Sequence, residues 1–197
     1  MVSYVRPHPP LDAPQCYFDL YRNKKLRTPA LGDWENPGEL ERSGRIFDSS
    51  TGPVDPELIR EAQIGYYACI THVDHQIGRL LQSLTESGVM DNTVIVFTSD
   101  HGEELGDHYM FRKCRPYEGS CHIPLIISGP KPLLGGKEGQ VCHNVVELRD
   151  LMPTFLDLAH ANDITYKKRS PHLQASLPLL PAMHPQAYNG FSLLLPT

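Results

Sequence analysis

The sequence has 197 residues, with 18 Lys+Arg against 23 Asp+Glu, 18 prolines, ten His and five Cys. That length fits one domain able to bury roughly 70% of the surface its unfolded chain exposes. A net charge of -5 offers no footing for nucleic acid or an anionic membrane, and no apolar stretch reaches the ~18 residues of a spanning helix. Cys16, Cys69, Cys114, Cys121 and Cys142 form no CxxC pair and no zinc spacing, so no disulfide framework is expected. Met1 opens no charged and then apolar leader, and a reducing, cytoplasmic setting is the expectation.

In chain order, Val2-Ser3-Tyr4-Val5 predicts a short strand running into Arg6-Pro7-His8-Pro9-Pro10. The prolines bracketing His8 remove backbone donors and fix φ, so the chain leaves any sheet there as an ordered loop. Residues 22 to 55, rich in Gly, Pro, Asp and Asn around the single Trp34, predict a long surface excursion, with the basic cluster near Lys24 as a solvated face. A helix follows: Asp55 caps it, Pro56 suits its first position, and Glu57 favours its positive end. Ile59, Tyr66, Ile70, Val73, Ile77, Leu80, Leu81 and Leu84 form its apolar stripe, and Gly88 stops it. Thr93-Val94-Ile95-Val96-Phe97-Thr98 and Ile123-Pro124-Leu125-Ile126-Ile127 are apolar runs of the kind found in buried parallel strands. Asp150 is placed to cap a last helix, Leu151 to Ala159, with Pro153 in its first turn. Together these elements predict an α/β layered fold with a mostly parallel sheet. Beyond Ala161, prolines interrupt every apolar stretch, and residues 162–197 read as an irregular tail.

Chemistry in such sheets gathers beyond the carboxyl ends of strands. There the chain reads Ser99-Asp100-His101-Gly102-Glu103-Glu104-Leu105-Gly106-Asp107-His108. A carboxylate beside an imidazole can reach one divalent cation, and Gly102 permits a sharp turn. Lys113 lies close enough to swing back and hold a sulfate or phosphate oxygen. The competing reading is a polar turn with Glu103, Glu104 and Asp107 as a solvated acidic patch. His8, braced by prolines, is a candidate proton donor or ester ligand, against the commoner structural role of a loop histidine. His72 and His75 share one helix face beside core residues and read as structural.

These residues carry a family resemblance. The run TVIVFTSDHGEELGDH ending at His108, then Lys113, Tyr117-Glu118 and the Ile-Pro-Leu-Ile-Ile strand, resembles the type I sulfatases. These belong to the alkaline phosphatase superfamily with the phosphonate monoester hydrolases. The resemblance extends to SYVRPHPP, YYACITHVDHQIGRLLQSLTESGVMDNT and LRDLMPTFLDLA, most of residues 2 to 160. It implies an alkaline phosphatase-like three-layer α/β sandwich with a mostly parallel sheet, present here only in part. Residues 1–161 would be the C-terminal part of the catalytic domain. It implies Asp100 and His101 as divalent-metal ligands, with Lys113 and His8 on the sulfate or phosphate group and His8 also donating a proton to the leaving alcohol. The resemblance favours calcium, whereas an imidazole at His101 suits manganese or zinc. His108 receives no role.

Two family features are missing. No Cys-x-Pro-x-Arg motif, the source of the formylglycine nucleophile, occurs in the sequence, and the acidic metal-ligand pair of the first strand is not recognised. Cys114-Arg115-Pro116-Tyr117-Glu118 ends in glutamate and follows the Asp-His pair, so it is rejected. The expectation is a sulfuric ester hydrolase seen as a fragment, inactive alone. Two alternatives stand beside it: a phosphonate monoester or phosphodiester hydrolase, and a non-catalytic remnant of a truncated gene.

Overall fold

The computed structural model describes residues 1–36, 52–134 and 139–159. The described chain forms two compact units, one of Met1–Val89 with His101–Ile123, the other of Met90–Asp100 with the residues from Pro124 onward. The predicted tail of residues 162–197 and residues 37–51 of the excursion lie outside the described residues.

In the first unit, Asp55 starts the longest helix as predicted. Its side chain accepts a hydrogen bond from Glu57 N at 2.8 Å, and Pro56 occupies the first turn. This helix, α2, runs Pro56–Glu86, while the shorter α1 covers Gln15–Arg22. Gly88, at φ 67°, follows its end and donates its N–H to Thr85 O, which closes the last turn. Sequence pattern missed α1. Pro14 precedes it without a side-chain cap, so the usual start signal is absent.

The buried face of α2 is Gln63, Ile64, Gly65, Ala68 and Cys69, whereas Ile70 of the predicted stripe is 42% exposed. Periodicity weights large side chains, but here small ones admit close packing. A Cβ on Gly65 would lie 2.9 Å from Leu11 Cβ, so this turn of α2 takes the incoming chain against its backbone. Tyr17 and Tyr21 dock α1 on α2. Tyr17 stacks on His72 with centroids 5.0 Å apart and its hydroxyl meets His75 Nδ1 at 3.0 Å. Tyr21 and Thr71 share a hydroxyl hydrogen bond of 2.6 Å. His72 and His75 are thus packing residues, as predicted.

Val2–Val5 is exposed and irregular, and no described strand pairs with it. A strand exists only through its ladder partner, and the apolar alternation of four residues does not supply one. His8 therefore sits in a turn, not at a strand end. Its N–H bonds to Val5 O at 3.0 Å, and Arg6 ties the segment by reaching Asp12 at 2.6 Å and His8 O at 3.3 Å.

The second unit holds β1, Ile95–Thr98, and β2, Leu125–Ser128. They pair antiparallel, Ile95 opposite Ser128 and Thr98 opposite Leu125, and this is the one sheet among the described residues. The parallel expectation for these two runs is corrected: an apolar run reports burial of both faces, not direction. Even that burial is partial, since Phe97 is 39% exposed. Ile127 and Leu134 form the core of this unit with Val94, Val96, Leu125, Val146 and Leu151 around them. The last helix is confirmed at Leu151–Leu158, with Pro153 in its first turn. Asp150 does not cap it. Its carboxylate accepts from Glu147 N at 2.8 Å instead, closing the preceding turn Leu148–Asp150. No described helix is long and apolar enough to cross a membrane.

Replacing Asp55 by Ala is expected to cost about 1 kcal/mol of stability, and Asp55→Asn far less, in urea unfolding. Equal losses for the two would show that the cap does not hold the start of α2.

Candidate active site

The first unit assembles three of the four predicted site residues. His8 Nδ1 faces Pro9 O at 2.9 Å, so that nitrogen carries a proton, and the lone pair on Nε2 accepts from Lys113 Nζ at 3.1 Å. His101 repeats the device, with Nδ1 donating to Gly102 O at 2.8 Å, which leaves its lone pair on Nε2. The two imidazoles stand edge to face with centroids 6.1 Å apart. Asp100, the neighbour of His101 in sequence, is exposed and belongs to the second unit.

The glycine between His101 and Glu103 has a reason other than the predicted sharp turn. Its φ is not left-handed, but a Cβ there would lie 2.0 Å from Gly119 O, and Gly102 N donates to Ser120 O at 2.8 Å. Two backbones cross here without room for a methyl group.

Beyond that crossing the chain is conformationally costly. Leu105, His108, Tyr109, Arg112 and Cys114 all have φ between 50° and 88°. A non-glycine residue in the left-handed region costs on the order of 1–3 kcal/mol and persists only where its surroundings impose it. The acidic residues impose it. Glu103 accepts from the N–H of Leu105 at 3.2 Å and, more closely, from that of Arg112, while Glu104 N donates to Arg112 O at 2.8 Å. Asp107 takes a two-point bond from Arg27, at 2.8 and 2.6 Å, and a third from Ala30 N at 2.7 Å. This bonding to Asp107 raises the Arg27 pKa above its ordinary value.

The reading of Glu103, Glu104 and Asp107 as a solvated patch is therefore corrected. Glu104 is 1% exposed, with Oε1 accepting from Ser120 Oγ and no hydrogen-bond partner at Oε2. Burial lifts its carboxyl above the ordinary 4.5. Burial also pushes the Tyr66 phenol up to about 12, with the charge of Glu103 adding to it. His108, left without a role by sequence, is packed between rings: Tyr117 at 4.2 Å and Trp34 at 6.1 Å, with its Nδ1 on Glu35 at 2.5 Å. Arg27 and Glu35 were invisible to pattern reading because their partners lie 80 and 73 residues away.

Asp100 and His101 offer a hard oxygen and an imidazole nitrogen. The lone pair held on His101 Nε2 suits a nitrogen position on a divalent cation. Among the described residues no group of three or more His, Cys, Asp or Glu side chains converges on a metal position.

A family profile described as Sulfatase matches residues 1–161. An arylsulfatase from Clostridium perfringens is 48% identical over 159 residues, 81% of this chain and 33% of that protein. A choline-sulfatase from Rhizobium meliloti is 34% identical over 161 residues, 80% of this chain and 30% of its own length. Among solved structures, the phosphonate monoester hydrolase of Agrobacterium radiobacter superposes with a TM-score of 0.65 at 29% identity, over 80% of this chain and 34% of that one. The chain belongs to the sulfatase family, with the alkaline phosphatase-like α/β fold expected of it. It spans about a third of the length of the curated relatives it matches.

Because the folded state keeps the proton of Glu104 where the unfolded chain has lost it, this group makes stability fall as pH rises above 4.5. Glu104→Gln, uncharged throughout, is expected to gain stability relative to wild type as pH climbs from that point towards neutrality. Denaturant unfolding along a pH series checks this, and a difference that stays constant with pH contradicts it.

Proposed function

We propose that these residues form part of the active site of a sulfuric ester hydrolase. The observation that carries the reading is the meeting of Lys113 with His8, 105 residues apart in sequence, beside His101. A sulfate monoester presents anionic oxygens and an alcohol leaving group. The Lys113 ammonium is a compact point charge for one such oxygen. His8, with its Nδ1 fixed on Pro9 O, directs Nε2 at the same place and is suited to hold or pass the proton that the leaving alcohol needs. Asp100 and His101 would hold a divalent metal, calcium in preference to manganese or zinc. When bound, that ion supplies positive charge against the negative charge building on the transferring group. A formylglycine nucleophile would come from outside these residues, since the sequence contains no Cys-x-Pro-x-Arg. On this reading the 197 residues alone bind but do not turn over. The five free cysteines support a reducing, cytoplasmic setting.

A second reading changes only the substrate. The likeness to a phosphonate monoester hydrolase favours phosphonate monoesters or phosphodiesters, which also carry one negative charge. Nitrophenyl sulfate and nitrophenyl phenylphosphonate assayed side by side on the intact enzyme separate the two.

Lys113→Ala in that enzyme is expected to lower turnover about a hundredfold or more, the loss typical of one lost charge-stabilising donor. Unchanged turnover would sink both readings.

A further inference from the structure

Lys113 reaches His8 from the end of a loop in which five non-glycine residues are left-handed, and Arg112 immediately before it is one of them. A side chain at the end of such a segment is placed only as well as the segment is tied down. One tie on the residue before Lys113 is Glu103. Its Oε1 accepts the backbone N–H of both Leu105 and Arg112, the first at 3.2 Å, while the Glu104 N–H takes Arg112 O at 2.8 Å. One carboxylate thereby joins the start of the loop to its end. Glu103 itself is two residues from His101, whose own direction is set by the bond to Gly102 O.

We infer that Glu103 is a positioning residue. Its carboxylate oxygen, acting as a backbone-like acceptor for Arg112 N, holds Lys113 against His8. The role belongs to the oxygen as an acceptor more than to the charge. An amide oxygen at the same reach can accept the same two N–H groups, whereas a methyl group cannot. Without the acceptor, Arg112 has less to keep it left-handed, and relaxation of its φ swings the next residue away from His8. The catalytic consequence rests on the reading of Lys113 and His8 as the anion and proton site. The placement of Lys113 does not.

The experiment therefore has two readouts on the intact protein. Ring-nitrogen NMR resonances of His8 report whether Nε2 still accepts from Lys113, and Lys113→Ala supplies the reference for loss of that contact. Glu103→Ala is expected to shift the His8 Nε2 resonance towards that reference with the backbone amide spectrum otherwise kept. Glu103→Gln is expected to stay near wild type. If Glu103→Ala does not fold, Glu103→Asp, one methylene shorter, takes its place with a partial shift expected. In nitrophenyl sulfate hydrolysis, Glu103→Ala is expected to lower kcat/KM by about tenfold to a hundredfold, the scale of a misplaced reacting group. Glu103→Gln should recover most of it. A His8 resonance unmoved in Glu103→Ala, or moved equally in Glu103→Gln, overturns the positioning role. If the NMR pattern holds while the wild-type enzyme, complete with its nucleophile, hydrolyses no ester, the functional reading fails and the positioning role stands.

Discussion

A chain held in the left-handed region at five side-chain-bearing positions does not stay there by local preference. The stretch from Leu105 to Cys114 keeps that form because the Glu103 carboxylate grips its backbone at Leu105 and Arg112, and the Asp107 carboxylate ties it to a neighbouring segment. Glu103 closes the loop on itself. Asp107 fastens it to the segment around Arg27 and Ala30, where His108 N also donates to Ala30 O at 2.9 Å. The placement of Lys113 and the packing of His108 both depend on this fastening. Acidic residues that look like a soluble surface thus act as hydrogen-bond acceptors for peptide groups that ordinary secondary structure leaves unserved.

The two histidines share one solution to the problem of pointing a lone pair. Each spends Nδ1 on a nearby carbonyl, Pro9 O for His8 and Gly102 O for His101, so that Nε2 is the basic atom. For a candidate proton carrier and a candidate metal ligand the requirement is the same: the ring must not rotate, and its tautomer must be settled before anything binds. In each case the bond that settles it goes to a backbone carbonyl.

Much of the frame was legible from residues alone. Asp55, Pro56 and Gly88 mark the ends of α2 through rules that operate within one turn. The strand that ends at Thr98, just before Asp100, is legible for the same reason. The miscues share an opposite cause. Direction of strand pairing, Val2–Val5 with no strand partner among the described residues, the exposed Ile70 and the engaged Glu104 all depend on what arrives from far along the chain. Local pattern carries no information about that arrival. Arg27 shows the limit most clearly: in sequence it lies in a basic, proline-bounded excursion, and only the fold gives it Asp107.

The crossing of Gly102 and Gly119 sets a mechanical stop. Two backbones in direct contact cannot be drawn closer: a Cβ on Gly102 would lie 2.0 Å from Gly119 O, and one on Gly119 would lie 3.0 Å from Glu103 O. The gap between the segment leaving His101 and the segment entering Ser120 is therefore fixed by peptide dimensions and not by side-chain volume. Core residues elsewhere can drift in size without changing it. A variant lineage can alter the rings around His108 or the length of the Arg27 segment, yet the reach from His101 to the chain opposite stays the same.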